Sequence, residues 1–116
     1  MGYYDAVLHL DSSDEATFRL VLRNAENYLN ALPDEEFSLE IIVNAGGATL
    51  LTNTRKDLAE AAQPVLARGV KLKICANAMA AHGLTKDEIW PTCISVPAGL
   101  VEIARLQKNG FSYIKP

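Results

Sequence analysis

Residues 69–82, GVKLKICANAMAAH, decide the fold, because they pass from a strand pattern into a helix pattern with hardly a break. Residues 70–75 predict a buried strand, and residues 78–82 predict a short helix that Asn77 caps. Gly69 suits the left-handed position that follows the end of a helix. Lys71 and Lys73 alternate along the strand, and we expect both side chains to be solvated.

The alternation of strands and helices continues in both directions from this stretch. Apolar runs predict strands over residues 4–10, 39–44, 70–75, 93–96 and 111–114. Strands that alternate with helices at these lengths indicate a mostly parallel sheet covered on both faces. The chain has 116 residues, close to the commonest domain size, so we expect a single α/β domain over residues 1–116.

The first two long helices carry recognisable start and stop signals. Ser12 and Glu15 have the spacing of a capping box, so we expect Ser12 to open the first helix, and Pro33 closes it. The second helix is expected to begin near Thr54. Pro64 lies inside its apolar pattern and predicts a kink or an early end.

Two further helical segments follow the central strand. Thr85 and Glu88 repeat the capping-box spacing at the start of a short helical piece over residues 85–89. Pro97 is a good first helical residue, so we expect it to begin the last helix. Gly110 is expected to end that helix.

Composition and charge exclude several classes of protein. A net charge of −3 is unsuited to a nucleic-acid surface, which needs clustered Lys and Arg. The longest apolar runs have the length of strands, far short of the ~20 residues of a membrane span. The first residues have neither a basic start nor an apolar core, so we expect no secretory signal and a cytoplasmic protein. Two cysteines make no disulfide framework.

Polar residues and glycines follow four of the predicted strands. In open α/β sheets, ligands bind outside the carboxyl ends of the strands, so these residues form the candidate site. They are Asp11, Ser12, Asn44, Gly46, Gly47, Cys75, Asn77 and Ser95.

Cys75 has the position of a working thiol, since it follows a rigid strand and precedes a helix. Unpaired N–H groups at a helix start stabilise a thiolate, although a buried Cys is also often inert packing. His82 could support the thiol or simply end the helix. Cys93 enters a strand and is expected to be inert. The spacing of Cys75, His82 and Cys93 fits no zinc motif, so we expect no metal.

The remaining candidates each have two interpretations. The segment around Gly46 and Gly47 could hold an anion with backbone N–H groups, or form a turn that requires a positive φ. Asp11 could steer a substrate, or be an ordinary strand-end residue or cap. His9 lies within the first strand, and we expect a hydrogen-bonded core or interface residue.

Two parts of the chain resemble the DsrE/DsrF-like family. One is residues 69–78 together with Gly83 and Leu84, and the other is the tail over residues 96–103 and 106–116. The resemblance covers essentially the whole chain. It implies a three-layer α/β/α sandwich of flavodoxin-like architecture with a five-stranded sheet. It also implies assembly into trimers or hexamers of the chain itself.

Cys75 matches the position at which sulfur-relay members of the family accept sulfane sulfur. The resemblance therefore implies a sulfur carrier or sulfurtransferase that holds a persulfide on Cys75, works with sulfur donor and acceptor proteins and needs no cofactor. Two other hypotheses stay open. One is an oligomeric module that binds a small anionic ligand, and the other is a structural oligomer with an inert Cys75.

Overall fold

The computed structural model describes residues 2–116. Five strands form the sheet: β1 (Ala6–Leu10), β2 (Leu39–Val43), β3 (Lys71–Cys75), β4 (Ile94–Val96) and β5 (Ser112–Ile114). The α-helices are α1 (Glu15–Ala31), α2 (Lys56–Leu66), α3 (Ala76–Ala81) and α4 (Gly99–Lys108). Two 3₁₀ helices cover Ala45–Leu51 and Lys86–Glu88. Within residues 2–116, no helix is long and apolar enough to cross a membrane.

The strand order is β4-β3-β2-β1-β5, and all four neighbouring pairs are parallel. The expected parallel sheet is therefore confirmed. Val43 of β2 lies opposite Ile74 of β3, so the residues that follow them, Asn44 and Cys75, leave the sheet side by side. This register brings two of the predicted site residues together.

Helices cover both faces of the sheet, which confirms the three-layer architecture. The larger core lies on the face of α1 and α2, where Phe18 and Leu58 are fully buried. The other face is covered by α4, whose Ile103 and Leu106 pack on Val7 and Ile42. We call this second surface the α4 face. Because side chains alternate along a strand, this face also carries His9 and Asn44, two positions beyond Val7 and Ile42. Lys73 of β3 pairs with Ile42, so Lys73 and Cys75 lie on the same face.

The beginning of α1 differs from the prediction. Asp14, and not Ser12, is the N-cap, and its Oδ1 accepts a hydrogen bond from the backbone N–H of Ala16 at 3.4 Å. The hydroxyl of Thr17 donates to the other Asp14 oxygen at 2.8 Å. Ser12 instead accepts from the N–H of Asp14. The loop after β1 therefore extends through residues 11–14 before α1 begins at Glu15.

The starts of α3 and α4 also differ from the prediction. Helix α3 begins at Ala76, directly after β3, so Cys75 occupies the N-cap position and Asn77 lies inside the helix. Helix α4 begins at Gly99 and not at Pro97, because Ala98 is extended, with φ −143° and ψ 120°. Two other local predictions are confirmed. The Thr85–Glu88 capping box is present, and Gly69 has φ 95°.

The Gly46–Gly47 segment does not have the positive φ angles that a glycine turn was expected to require. The positive φ falls on Ala45, at 50°, and the chain then enters a 3₁₀ helix. Gly47 is instead required by close packing. A Cβ there would lie 2.8 Å from Cγ1 of Val43 and 3.3 Å from the backbone oxygen of Leu10.

Lys73 is buried on the α4 face, in contrast to the solvated position expected for it. Its Nζ lies 2.6 Å from a carboxylate oxygen of Glu40 and 2.6 Å from one of Glu102. Burial alone would lower the pKa of Lys73, but these contacts outweigh it, so the pKa is raised. Hydrogen bonds from Arg105 and then Lys73 lower the pKa of Glu102 to about 2. The ion pairs of Lys73 with Glu40 and Glu102 therefore connect α4 to β2 and β3.

We predict that Lys73→Met destabilises the protein by about 3–5 kcal/mol, because it leaves the buried Glu40 carboxylate without a counter-charge. Lys71→Met is the matched control, since Lys71 is exposed on the same strand. It should change the free energy of unfolding by less than about 0.5 kcal/mol. Chemical denaturation measures both. Equal effects of the two substitutions would contradict a stabilising role for the ion pairs.

Candidate functional site

Cys75 lies in an open depression of about 300 Å³ where β2, β3 and the start of α4 meet. The Cys75 side chain itself is largely buried, with the whole residue 6% exposed. The lining residues are Asn44, Ala45, Cys75, Asn77, Ala78, Ala98, Gly99 and Leu100. We call this the Cys75 depression. It opens at the carboxyl edge of the sheet, where the sequence predicted a site.

The backbone around Cys75 is held on both sides. The residue pairs with Val96 of β4 and is the last residue of β3. It has an extended conformation, with φ −76° and ψ 120°, and α3 starts at the next residue. A thiol at this position has a fixed location, and its neighbours determine how it can react.

Gly99 forms one wall of the depression, a role that the sequence analysis missed. A Cβ on Gly99 would lie 3.2 Å from Cβ of Asn44 and 3.3 Å from Cβ of Cys75. Helix α4 therefore approaches the thiol closely because its first residue has no side chain. A glycine two residues after the proline that was expected to start the helix was the available signal, but the sequence could not show what it packs against.

The Cys75 depression is neutral and largely apolar. Among the described residues that line it, none is Lys, Arg, His, Asp or Glu, and the polar side chains besides the thiol are the amides of Asn44 and Asn77. A small dianion would find no cationic partner in this lining. A ligand with an apolar body fits these surroundings better.

A hydrogen-bonded chain reaches the depression from β1 and β5. Tyr113 Oη lies 2.6 Å from Nδ1 of His9, and Nε2 of His9 lies 2.8 Å from Oδ1 of Asn44. The expectation of a hydrogen-bonded core position for His9 is confirmed, since the residue is 6% exposed. The link from His9 to Asn44 was not foreseen, because the two residues are 35 positions apart in the chain.

Asp11 and His82 lie away from the Cys75 depression. Asp11 follows β1, which is two strands from β3 and so about 10 Å across the sheet. Its carboxylate pairs with Nζ of Lys115 at 2.7 Å, and the hydrogen bond from Lys115 lowers the pKa of Asp11. His82 is exposed at the C-terminal end of α3.

Ser12, Gly46 and Gly47 form a separate group. A Cβ on Gly47 would lie 3.3 Å from the backbone oxygen of Ser12, so the loops after β1 and β2 pack closely against each other. Ser95 lines a different hollow, of about 80 Å³, together with Cys93 and Trp90. The structure thus joins Asn44, Cys75 and Asn77 in one depression. The other predicted site residues lie outside it, namely Asp11, Ser12, Gly46, Gly47, His82 and Ser95.

Cys93 has the properties of an inert thiol. Burial raises its pKa to about 12, so it carries no thiolate near neutral pH. The next residue, Ile94, pairs with Lys73, whereas Cys75 pairs with Val96. The two cysteines are therefore about 10 Å apart along the strands, too far for a disulfide. Both are free, and within residues 2–116 no group of three or more His, Cys, Asp or Glu could hold a metal ion.

The family model for the DsrE/DsrF-like family matches residues 2–116. The chain belongs to the DsrE/DsrF-like family. This family is associated in general with sulfur relay. No curated protein sequence is similar enough to this chain to be counted as a relative.

Solved structures share the DsrE/DsrF-like fold seen here. A protein of unknown function, MTH1491 from Methanobacterium thermoautotrophicum, is 26% identical, with a TM-score of 0.90 over 97% of this chain and 99% of its own. The ychN protein from E. coli is 14% identical, with a TM-score of 0.79 over 97% and 99%. The protein of unknown function BT1422 from Bacteroides thetaiotaomicron is 17% identical, with a TM-score of 0.75 over 97% and 94%.

We predict that Gly99→Ala restricts access to Cys75 without unfolding this DsrE/DsrF-like domain. The added methyl group would touch Cys75 and Asn44, whereas the backbone of Gly99 does not have a positive φ. Alkylation of Cys75 by iodoacetamide should slow about three- to tenfold, because access governs thiol reactivity. Thermal unfolding should change little.

Gly46→Ala is the matched control, because its added methyl group would lie 3.3 Å from Cβ of Ser13, outside the Cys75 depression. It should leave the alkylation rate unchanged. A normal rate in Gly99→Ala would show that α4 does not limit access to the thiol.

Proposed function

We propose that this protein is a sulfur carrier that accepts a sulfane sulfur as a persulfide on Cys75 and passes it to an acceptor thiol. The observation that carries the proposal is the placement of Cys75 in an open, neutral depression at the carboxyl edge of the sheet. Membership of a family associated with sulfur relay supports it. The second thiol, Cys93, has too high a pKa to form the thiolate that attacks a persulfide.

The proposed transfer consists of two thiol exchange steps. The Cys75 thiolate attacks the outer sulfur of a donor persulfide, the donor's S–S bond breaks, and the donor leaves as a thiolate. An acceptor thiolate then attacks the outer sulfur of the Cys75 persulfide, and Cys75 leaves as a thiolate. Each step forms one S–S bond and breaks one, so no external oxidant or reductant is consumed.

The lining of the Cys75 depression supports a persulfide as the donor. The donor's apolar carbon chain can lie against Ala45, Ala78 and Leu100, while its outer sulfur reaches Cys75. Asn44 and Asn77 can accommodate the charge that leaves with the donor thiolate. We place this chemistry in the cytoplasm, where thiols stay reduced, and both cysteines are free.

We predict that the purified protein gains about 32 Da, one sulfur atom, when treated with a low-molecular-weight persulfide. Intact-mass spectrometry measures the gain, and peptide mapping should assign it to Cys75. Cys75→Ser should abolish the gain. Cys93→Ser is the matched control and should keep it.

The pH dependence of Cys75 alkylation provides a second measurement on the same samples. A thiolate that forms below pH ~7 supports the carrier, because a thiolate is the nucleophile in both steps. No mass gain, or an equal gain in Cys75→Ser, would overturn the proposal. Slow alkylation at every pH would instead favour an inert thiol in a binding or structural protein.

We also propose that the chain assembles with itself, as trimers or hexamers, through the α4 side of the sheet. Val101 is 69% exposed on α4, one residue after Leu100, which lines the Cys75 depression and stays open to the donor. Ile94 on β4 and Tyr113 on β5 are exposed at the two ends of the same face. Contact between copies would cover these apolar groups.

We predict that light scattering on the native protein gives the mass of a trimer or a hexamer, and that Val101→Glu lowers it. A buried carboxylate without a partner opposes association. Leu20→Glu is the matched control, because Leu20 is an exposed apolar residue of α1 on the other side of the sheet. A monomeric wild type, or equal effects of both substitutions, would contradict the proposed surface.

A further inference from the structure

The hydrogen-bonded chain from Tyr113 through His9 to Asn44 has a defined direction. Oδ1 of Asn44 can only accept, so Nε2 of His9 carries the proton that it donates across 2.8 Å. In the neutral ring, Nδ1 is then the acceptor, and the hydroxyl of Tyr113 donates to it across 2.6 Å. Each donor therefore points towards Asn44.

This direction determines what Asn44 presents to the Cys75 depression. Its Oδ1 faces His9, so its Nδ2 is turned away from the ring. Within residues 2–116, Nδ2 of Asn44 donates to no protein atom, although its backbone N–H is bonded to the carbonyl oxygen of Leu10 at 3.0 Å. The amide therefore has two free N–H donors at a residue that lines the depression.

Asn44 and Cys75 are next to each other. They follow the paired residues Val43 and Ile74, and both Cβ atoms lie within 3.3 Å of the position that a Cβ on Gly99 would occupy. These positions put the Cβ atoms of Asn44 and Cys75 no more than about 6.5 Å apart, which is within the combined reach of the Asn44 amide and a sulfur on Cys75. Hydrogen bonds to a charged sulfur favour the thiolate and lower its pKa.

A polar chain centred on a buried histidine is an unusual way to fill the α4 face. Val7 and Ile42 beside it are apolar, and an apolar side chain at position 9 would pack there without any need for partners. The chain satisfies both ring nitrogens of His9 and leaves its free donors at one place, the amide of Asn44. That arrangement favours a ligand at Asn44 over a purely structural link between strands.

We infer that Asn44 donates from Nδ2 to the anionic sulfur on Cys75, as thiolate or persulfide, and that His9 and Tyr113 are positioning residues that set the orientation of its amide. The part that concerns the persulfide rests on the proposed function. The part that concerns the thiolate does not. Asn44 would thus both activate Cys75 and stabilise the sulfur that it carries.

The test is the pKa of Cys75 measured from the pH dependence of alkylation, together with the rate of sulfur loading from a low-molecular-weight persulfide. Asn44→Asp keeps an oxygen for His9 but replaces the donors with a negative charge. We expect the pKa of Cys75 to rise by about one unit and loading below that pKa to slow about tenfold. Asn53→Asp is the matched control, since Asn53 is exposed and donates to Asp87.

Three further sets of variants separate orientation from packing. Asn44→Ala removes the donors without adding charge and should give a smaller rise in the same pKa. His9→Gln can still donate to Asn44 and should preserve more of the loading rate than His9→Leu. Tyr113→Phe should slow loading, whereas Tyr28→Phe, which loses a hydroxyl bonded to a backbone oxygen elsewhere, should not.

The outcomes distinguish this inference from the proposed function. If the wild type accepts no sulfur, the carrier proposal fails. The pKa of Cys75 in Asn44→Asp, measured by alkylation, still tests whether the amide of Asn44 donates to the thiolate. If the wild type loads sulfur and both Asn44 variants keep its pKa and rate, only this inference is overturned. The inference is also overturned if the sulfur-loading rates of His9→Gln and His9→Leu fall only as far as their losses of thermal stability explain, with no advantage for His9→Gln.

Discussion

The position of α4 on the sheet is the constraint on which the Cys75 depression depends. Lys73 lies between Glu40 of β2 and Glu102 of α4, with both oxygens 2.6 Å from its Nζ. These contacts and the packing of Ile103 and Leu106 hold the helix against the strands. Helix α4 starts at Gly99, where a Cβ would lie within 3.3 Å of those of Cys75 and Asn44, so the placement of α4 determines the shape of the wall beside the thiol.

The two faces of the sheet have different roles. The face under α1 and α2 is apolar and holds most of the buried hydrophobic residues. The α4 face carries the buried polar groups His9, Glu40 and Lys73 together with Cys75. A polar group buried in this way requires partners, and those partners come from β2, β3, β5, α4 and the residue after β2, Asn44. The face with less apolar packing is therefore the face on which chemistry can be built.

The fold was largely predictable because its signals are local or periodic. Apolar runs identified all five strands to within two residues, and Gly69 and the Thr85–Glu88 pair marked their turns correctly. The errors have two sources, a stronger cap nearby in the sequence and tertiary contacts that override a local preference. Asp14 displaces Ser12 as the cap of α1. Lys73, which has the pattern of a solvated strand residue, is buried because Glu40 and Glu102 come from distant parts of the chain.

The amino-acid pattern alone places a thiol at the carboxyl end of a buried strand, because strand periodicity and the alternation of strands with helices are read from nearby residues. Asn44, Cys75 and Asn77 could be selected in this way. Which of the candidate residues lie together depends on the strand order and register. The strand order separates Asp11 from Cys75 by two strands, and the register of β2 on β3 brings Asn44 beside it. Gly99, His9 and Tyr113 join the site through contacts between distant segments, which no local pattern records.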